Sequence, residues 1–183
     1  MKKVLFIVGS ERKDSFNRQL ADYAASVLEG KTEVSFLEYG DLPFINQDSE
    51  YPASDIVNRI RDDIDAADGV WIVSPEYNGS YPGLLKNLLD WVSRPLAEND
   101  WSSGSTIGGK KVTISGAAGN SAAAGVLGKL EELLIAIRSD LMDTYKTGIV
   151  LDSDAFMTNI LTLSEDDKLK ITKQAEAFIE FMG

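Results

Sequence analysis

Hydroxyl, amide and guanidinium side chains are concentrated in the stretch GSERKDSFN, residues 9–17, which directly follows an apolar run. Ser10, Arg12, Ser15 and Asn17 would together present many hydrogen-bond donors. The backbone amides that open the following helix add further donors at the positive end of a helix dipole. A guanidinium and several hydroxyls suit a phosphate, so the stretch predicts an anion site. The Walker and GxGxxG patterns are missing, and we therefore expect a phosphomonoester rather than a nucleoside triphosphate or a dinucleotide.

A simpler interpretation of this stretch is that Ser15 or Asn17 only caps the helix. Capping accounts for one of these residues, but it does not account for Ser10 and Arg12 as well. We therefore favour the anion site.

A second loop, SPEYNGSYPG at residues 74–83, also follows an apolar run and contains two prolines, two glycines and two tyrosines. A simple turn into a helix needs about four residues. The composition predicts a loop of fixed shape with aromatic walls and exposed backbone donors around Pro75, Tyr77 and Asn78. A stiff turn with Pro82 at the first helical position is compatible with this hypothesis. The role of Glu76 stays open, because a lone carboxylate in a loop is most often only solvated.

A third loop, SGAAGNSAAAG at residues 115–125, has almost no side chains. Small residues after a strand let a flat ligand approach the backbone closely. Simple packing of a helix on a sheet also favours glycine and alanine. The residues themselves do not choose between these two interpretations.

Strand and helix patterns alternate along the chain, and they must position these loops. Apolar or alternating runs predict strands at 2–9, 32–39, 69–75, 110–116 and 142–150, and helical spacing predicts helices at 17–30, 55–68, 82–94, 121–138 and 164–182. This alternation predicts an α/β fold, a flavodoxin-like doubly wound sheet of five parallel strands in the order 2-1-3-4-5. Ligands of such sheets bind where the strand order reverses, here between strands 1 and 3. The three loops should therefore share one pocket within a single domain, residues 1–183.

The composition limits the classes of function. Twenty-nine acidic and 18 basic residues give a formal net charge of −11, which repels nucleic acid and anionic lipid, so we expect neither as a partner. The chain contains no histidine and no cysteine, which excludes a Ser-His-Asp triad, a thiol nucleophile and a zinc-finger site. A bound cofactor is then expected to carry any catalysis. No run resembles an export signal or a membrane span, and we expect a cytoplasmic protein.

With these motifs in place, the chain resembles the NADPH-dependent FMN reductase family, which includes quinone, chromate and azo-dye reductases of flavodoxin-like fold. GSERKDSFN resembles the family's G-S-x-R-x-x-S-x-N phosphate loop. PEYN, with the following LKNLLDW helix, resembles its flavin loop, and DLPFINQD is similar too. The match in order extends over at least residues 3–140.

The resemblance implies a role for each loop in binding FMN. The residues that would hold the FMN phosphate are Ser10, Arg12, Ser15, Phe16 and Asn17. The residues that would border the isoalloxazine ring are Pro75, Glu76, Tyr77 and Asn78, with Ser115 and Gly116 approaching it from strand 4. NADPH or NADH would donate hydride to the flavin, which would pass it in ping-pong fashion to a quinone, azo compound, metal oxyanion or free flavin. No catalytic side chain is obligatory in such a mechanism.

Two other functions and two further expectations remain. An electron-carrier flavoprotein of the flavodoxin type is the main alternative, which the acidic composition mildly favours; a module that has lost its flavin would leave the loops unexplained. Helix 82–94 carries apolar residues on more than one stripe, which predicts that it lies in a subunit interface. The family resemblance implies a homodimer or homotetramer through that helix. The loop 95–109, with Trp101, is expected to be mobile and could form a lid over the flavin.

Overall fold

A parallel β-sheet runs through the computed structural model, which describes residues 1–183. Its strands are β1 (Lys3–Val8), β2 (Glu33–Phe36), β3 (Gly69–Val73), β4 (Lys111–Ala118), β5 (Asp140–Leu141) and β6 (Thr147–Val150). The helices are α1 (Phe16–Leu28), α2 (Asp55–Asp65), α3 (Gly83–Val92), α4 (Ala124–Ala136), α5 (Ser153–Thr158) and α6 (Glu165–Met182). The strand order is β2-β1-β3-β4-β5, which confirms the predicted doubly wound α/β fold.

The two central strands are apolar because helices cover both of their faces. Every residue of β3 is buried, and β1 is buried from Val4 to Ile7. Helices α2, α3 and α4 cover one face, and α1 and α6 cover the other. In the second layer, Phe6 stacks on Trp71 and on Phe36 with ring centroids 5.3 Å apart in each pair. Parallel pairing, with Val8 opposite Val73, places the carboxyl ends of β1 and β3 side by side.

The fifth strand is not the continuous strand that residues 142–150 predict. β5 pairs with the beginning of β4, β6 pairs with its end, and the segment 142–146 between them leaves the sheet. The buried side chain of Gln174 from α6 fills the gap. It donates to the Ile114 carbonyl at 2.9 Å and accepts from the Thr147 amide at 3.1 Å. A side-chain amide thus replaces strand-to-strand hydrogen bonds at this point.

Serine side chains define where several helices begin. Ser15 caps α1 and Ser54 caps α2, while Ser164 and Asp167 form a capping box at α6. The short helix α5, which sequence patterns did not predict, begins at the cap residue Asp152. None of the helices combines the length and the apolar character needed to cross a membrane.

The surplus apolar residues of α3 are covered by the chain itself. Trp91 is buried, and its indole nitrogen donates to the Pro43 carbonyl at 2.8 Å. Asn87 donates to the same carbonyl at 2.9 Å and accepts from the Ile45 amide at 2.8 Å. The loop after β2 therefore packs over the stripe that predicted a subunit interface, and only Leu84 among the apolar residues of α3 is half-exposed. The apolar surface of α3 is covered within the chain and does not require a second chain.

The connection from α3 to β4, residues 95–109, lies at the opposite edge of the sheet from the predicted site. The Gly109 amide donates to the Arg138 carbonyl at 2.8 Å, beside the amino end of β5. Trp101 is 72% exposed and lies under the Arg94 guanidinium, at the far end of α3. Helix-to-strand connections return to the amino ends of parallel strands, whereas ligands bind at the carboxyl ends. The expectation that this loop is a lid over its own site is therefore wrong.

Candidate functional site

A cleft of about 340 Å³ opens at the carboxyl edge of the sheet, next to the ends of β1, β3 and β4. We call it the switch-point cleft. The predicted residues that line it are Ser10, Arg12, Ser15, Phe16, Asn17, Pro75, Glu76 and Tyr77. Parallel strands thus bring the first and second loops together, as the strand order predicts.

One end of the cleft is rich in donors. The Ser15 hydroxyl accepts from the Arg18 amide at 3.3 Å, so this residue both caps α1 and lines the cleft. The Ser10 hydroxyl accepts from the Arg12 amide at 3.3 Å. Both hydroxyls keep their own proton for a ligand, next to the positive end of α1. The capping interpretation of Ser15 is correct, and it does not compete with an anion site.

Arg12 is held across this end by three contacts. One guanidinium nitrogen donates to Asn159 Oδ1 at 2.8 Å, and another donates to the Asp14 carbonyl. The guanidinium also lies 4.7 Å from the centroid of the Phe16 ring. The cation is therefore oriented by its surroundings although it is exposed to solvent.

Asn17 joins the first loop to the third. Its buried side-chain amide donates to the Ala117 carbonyl at 3.0 Å and accepts from the Ala117 amide at 2.8 Å. Both backbone groups of Ala117, at the end of β4, are thereby satisfied by one side chain. Asn17 lines the cleft mainly as a link between its walls, which neither the capping nor the phosphate interpretation had foreseen.

The second loop contains a tight hairpin turn. Tyr77 and Ser80 exchange both backbone hydrogen bonds, at 2.9 and 3.1 Å, across Asn78 and Gly79. Both central residues have positive φ, 54° and 73°, as an Asn-Gly type I′ turn requires. Tyr77 extends into the cleft wall and is 55% exposed, whereas Asn78 lies at the tip of the turn and does not line the cleft.

Glu76 has a structural partner. Its carboxylate accepts from the Val126 amide in the first turn of α4 at 3.0 Å. Helix α4 needs this contact, because its own cap position is Ala123, which has no side-chain acceptor and a left-handed φ of 60°. A carboxylate at a helix N-terminus is stabilised by the helix dipole. Glu76 therefore fastens the second loop to the helix that follows the third.

Ser115 and Gly116 do not line the cleft. Ser115 is buried, accepts from the Trp71 indole at 3.0 Å and donates to Gln174 at 3.1 Å, on the α6 side of the sheet. A Cβ on Gly116 would lie 2.8 Å from the Ala123 side chain, so this glycine permits close packing beneath the loop. The third wall is instead formed by Ala117, Ala118 and Gly119. Strand β4 continues to Ala118, two residues beyond the predicted end. The residues that line the cleft therefore lie two to three positions later than predicted.

A fourth wall was missed by the sequence analysis. Leu151, Phe156 and Asn159 line the cleft from the segment that contains α5. Gln19 of α1 fastens this segment, since it donates to the Asn159 carbonyl at 2.9 Å and accepts from the Leu161 amide at 2.8 Å. The segment follows the last strand at the same carboxyl edge, and that position, together with the cap residue Asp152, was the available signal.

The two ends of the cleft differ chemically. The first end offers hydroxyls, a guanidinium and a helix N-terminus, and the other offers Pro75, the Tyr77 ring and a backbone nearly without side chains. Gly119 lines the cleft, and a Cβ added to it would meet no atom within 4 Å. The arrangement fits a ligand with an anionic group at one end and a flat ring system at the other.

Several known proteins are similar to this chain in sequence and in fold. A 2-hydroxy-1,4-benzoquinone reductase from a Burkholderia species is 39% identical over 135 residues, which cover 73% of this chain and 74% of that protein. A quinone reductase from Pseudomonas putida is 42% identical over 100 residues, which cover 54% of this chain and 54% of that protein. The structure of FerB from Paracoccus denitrificans, a flavoenzyme NAD(P)H:acceptor oxidoreductase, matches all of this chain and 97% of its own, with a TM-score of 0.86 and 31% identity.

More distant structures share the fold alone. An archaeal flavodoxin matches 98% of the chain with a TM-score of 0.61 but only 12% identity. The family model for NADPH-dependent FMN reductase, in contrast, matches residues 2–145, which include the first, second and third loops. The chain belongs to the NADPH-dependent FMN reductase family.

Proposed function

We propose that the switch-point cleft binds FMN and that the chain is an NAD(P)H-dependent oxidoreductase. The observation that carries the proposal is the pairing, in one cleft, of a donor-rich end and a flat, open end. The phosphate would lie at Ser10, Ser15 and Arg12, where hydroxyl protons, the guanidinium and the α1 dipole all favour an anion. The ring would lie between Tyr77 and the backbone of Ala117–Gly119.

The residues present fit this cofactor. When bound, FMN supplies two-electron chemistry, accepting hydride from a reduced nicotinamide and delivering it to a small acceptor. The protein contributes binding and orientation: Arg12 neutralises the phosphate, and Asn17 and Glu76 hold the walls of the cleft at fixed separation. Pro75 is buried, which keeps the flavin loop stiff beneath the ring. Nothing in this assignment requires an acid or base from the protein.

Relatives support a quinone as the acceptor. The Burkholderia and Pseudomonas proteins are named as quinone reductases, and FerB is named as an NAD(P)H:acceptor oxidoreductase. The open mouth of the cleft gives a small planar acceptor access to the same face that a nicotinamide would use. Azo compounds, metal oxyanions and free flavin are further acceptors to be compared with a quinone.

The experiment combines spectroscopy with turnover. Purified protein reconstituted with FMN should show bound flavin absorption, release FMN on denaturation, and oxidise NADPH or NADH when 1,4-benzoquinone is added. An electron carrier would bind FMN but turn over only when a partner reductase is supplied. Absence of flavin binding would refute the site, and binding without turnover would favour the carrier.

We also propose a single domain, a homo-oligomer and a cytoplasmic location. One FMN-binding domain, residues 1–183, is supported by the single sheet with helices on both faces. A homo-oligomer through the α3 surface is supported now only by the loop that covers α3, where Phe44 is 84% exposed. A monomer in light scattering at micromolar concentration would contradict it. A cytoplasmic location stays a prediction from the sequence, which cell fractionation would test.

A further inference from the structure

A second cleft lies beside the first. It occupies about 280 Å³ between the loop after β1 and the loop after β2, and we call it the β2-side cleft. Ser10 and Arg12 line both clefts, so the two share a wall. A ligand that fills the switch-point cleft could therefore extend into the β2-side cleft without leaving the protein surface.

Two cations of the first loop face the β2-side cleft rather than the switch-point cleft. Lys13 and Arg18 line the former and not the latter. Arg18 is fixed by an ion pair with Asp22 at 2.9 Å and lies 4.1 Å from the centroid of the Phe36 ring. Lys13 is exposed and takes part in none of the ion pairs or side-chain hydrogen bonds of the structure. The FMN phosphate accounts for Arg12 but provides no ligand for Lys13 and Arg18.

Two carboxylates also line the β2-side cleft. Glu38 lies on the loop after β2, and Glu11 reaches from the first loop so close to Gly40 that a Cβ there would overlap its carboxylate. Carboxylates accept hydrogen bonds from ribose hydroxyls, whereas ammonium and guanidinium groups bind phosphate. A cleft that holds both cations and carboxylates thus suits a phosphorylated ribose. In a chain with net charge −11, such a local group of cations is needed to hold any phosphate.

We propose that the β2-side cleft binds the adenosine half of NADPH, with its 2′-phosphate at Lys13 and Arg18. The inference rests on the proposed function, because a nicotinamide placed over the flavin leaves the adenosine half outside the switch-point cleft. Because the two clefts share a wall at Ser10 and Arg12, one NADPH molecule can extend from the switch-point cleft into the β2-side cleft. NADH lacks the 2′-phosphate, and Lys13 and Arg18 therefore make the enzyme prefer NADPH.

The test is Lys13→Gln, with Lys31→Gln as a matched control at an exposed lysine far from both clefts. The KM for NADPH should rise about tenfold in Lys13→Gln, the usual effect of losing one charged contact. The kcat, the KM for NADH and the affinity for FMN should stay unchanged in both variants. Equal changes for NADPH and NADH would overturn the inference, as would no change. A loss of FMN affinity would assign Lys13 to the flavin phosphate instead.

A second measurement uses product-like fragments as probes. Against NADPH, 2′,5′-ADP should inhibit the wild-type enzyme more strongly than 5′-ADP, and Lys13→Gln should abolish the difference. Equal inhibition of the wild type by both fragments would contradict the inference while turnover with a quinone still supports the proposed function. If the protein neither binds FMN nor oxidises either nicotinamide, the proposed function fails and the inference with it.

Discussion

At the scale of single residues, Arg12 is the group on which the phosphate assignment depends most. Arg12→Ala removes a charge-assisted contact to a dianion in a chain of net charge −11. The affinity for FMN should fall by about 1.5–3 kcal/mol, the usual contribution of such a bond. Riboflavin, which has no phosphate, should bind the variant and the wild type equally. Fluorescence titration with both flavins makes the comparison, and an equal loss for both would refute the assignment.

Asn159 orients that guanidinium, and its backbone allows a clean test. Its φ is 59°, a conformation that glycine adopts without strain, so Asn159→Gly removes the acceptor and keeps the turn. We expect a loss of FMN affinity of about 1 kcal/mol, the contribution of one hydrogen bond, with riboflavin unaffected. Thr158→Ala, at the neighbouring exposed residue, is the control. Similar losses for FMN and riboflavin would mean that Asn159 only stabilises the fourth wall.

The sequence predicted the local part of the site better than the distant part. Ser10, Arg12 and Ser15 were found because their side chains and their helix start lie within a few residues of one another. Ser115 and Gly116 were placed wrongly because Gly116 signals close packing inside β4, not the end of the strand. Asn159 could not be predicted, since its contact with Arg12 joins residues that are 147 positions apart.

At the scale of elements, the interrupted fifth strand makes Gln174 unusually important. Its side chain contacts Thr113, Ile114, Ser115 and Thr147, all inside the protein. Gln174→Leu would leave backbone groups of Ile114 and Thr147 buried without partners, at about 1–3 kcal/mol each. We expect the free energy of unfolding in urea to fall by about 2–5 kcal/mol. Lys173→Leu, one exposed position earlier, should change it little; equal effects would show that helix packing and not the gap is responsible.

Element order was predictable because buried strands and amphipathic helices have different periods, and the parallel topology follows from their alternation. The interruption of the fifth strand could not be predicted, because residues 142–150 have the apolar pattern of one strand, whereas only 147–150 form β6 and β5 lies before them. Gln174 from α6 supplies hydrogen bonds where the strand is interrupted. The second apolar stripe of α3 was misinterpreted for a similar reason: the loop that covers it has no period of its own.

At the scale of the whole molecule, the charges predict a flat pH profile near neutrality. The chain has no histidine or cysteine. Each ionisable group whose pKa is shifted in the structure has a pKa that lies even further from neutral pH. Burial raises the pKa of Tyr39 and Tyr51, while hydrogen bonds to their carboxylates lower the pKa of Asp68 and Asp100. Carboxylate partners raise the pKa of Arg94, Lys129, Lys168 and Lys170.

Turnover with saturating donor should accordingly change by less than about twofold between pH 6 and pH 8, since no unperturbed side chain here titrates in that range. Steady-state rates in buffers of constant ionic strength measure this directly. A steep bell-shaped profile in this range would contradict the expectation that turnover needs no acid or base from the protein.

The connection between α3 and β4 lies on the side of the molecule opposite the two clefts. A thiol introduced there, for example by Glu98→Cys in a chain that has no cysteine of its own, gives a unique and exposed point of attachment. Protein coupled to a solid support through that thiol would stand with both clefts toward the solution. Donor and acceptor would reach the flavin of every immobilised molecule, so a coated surface could serve as an oriented quinone sensor.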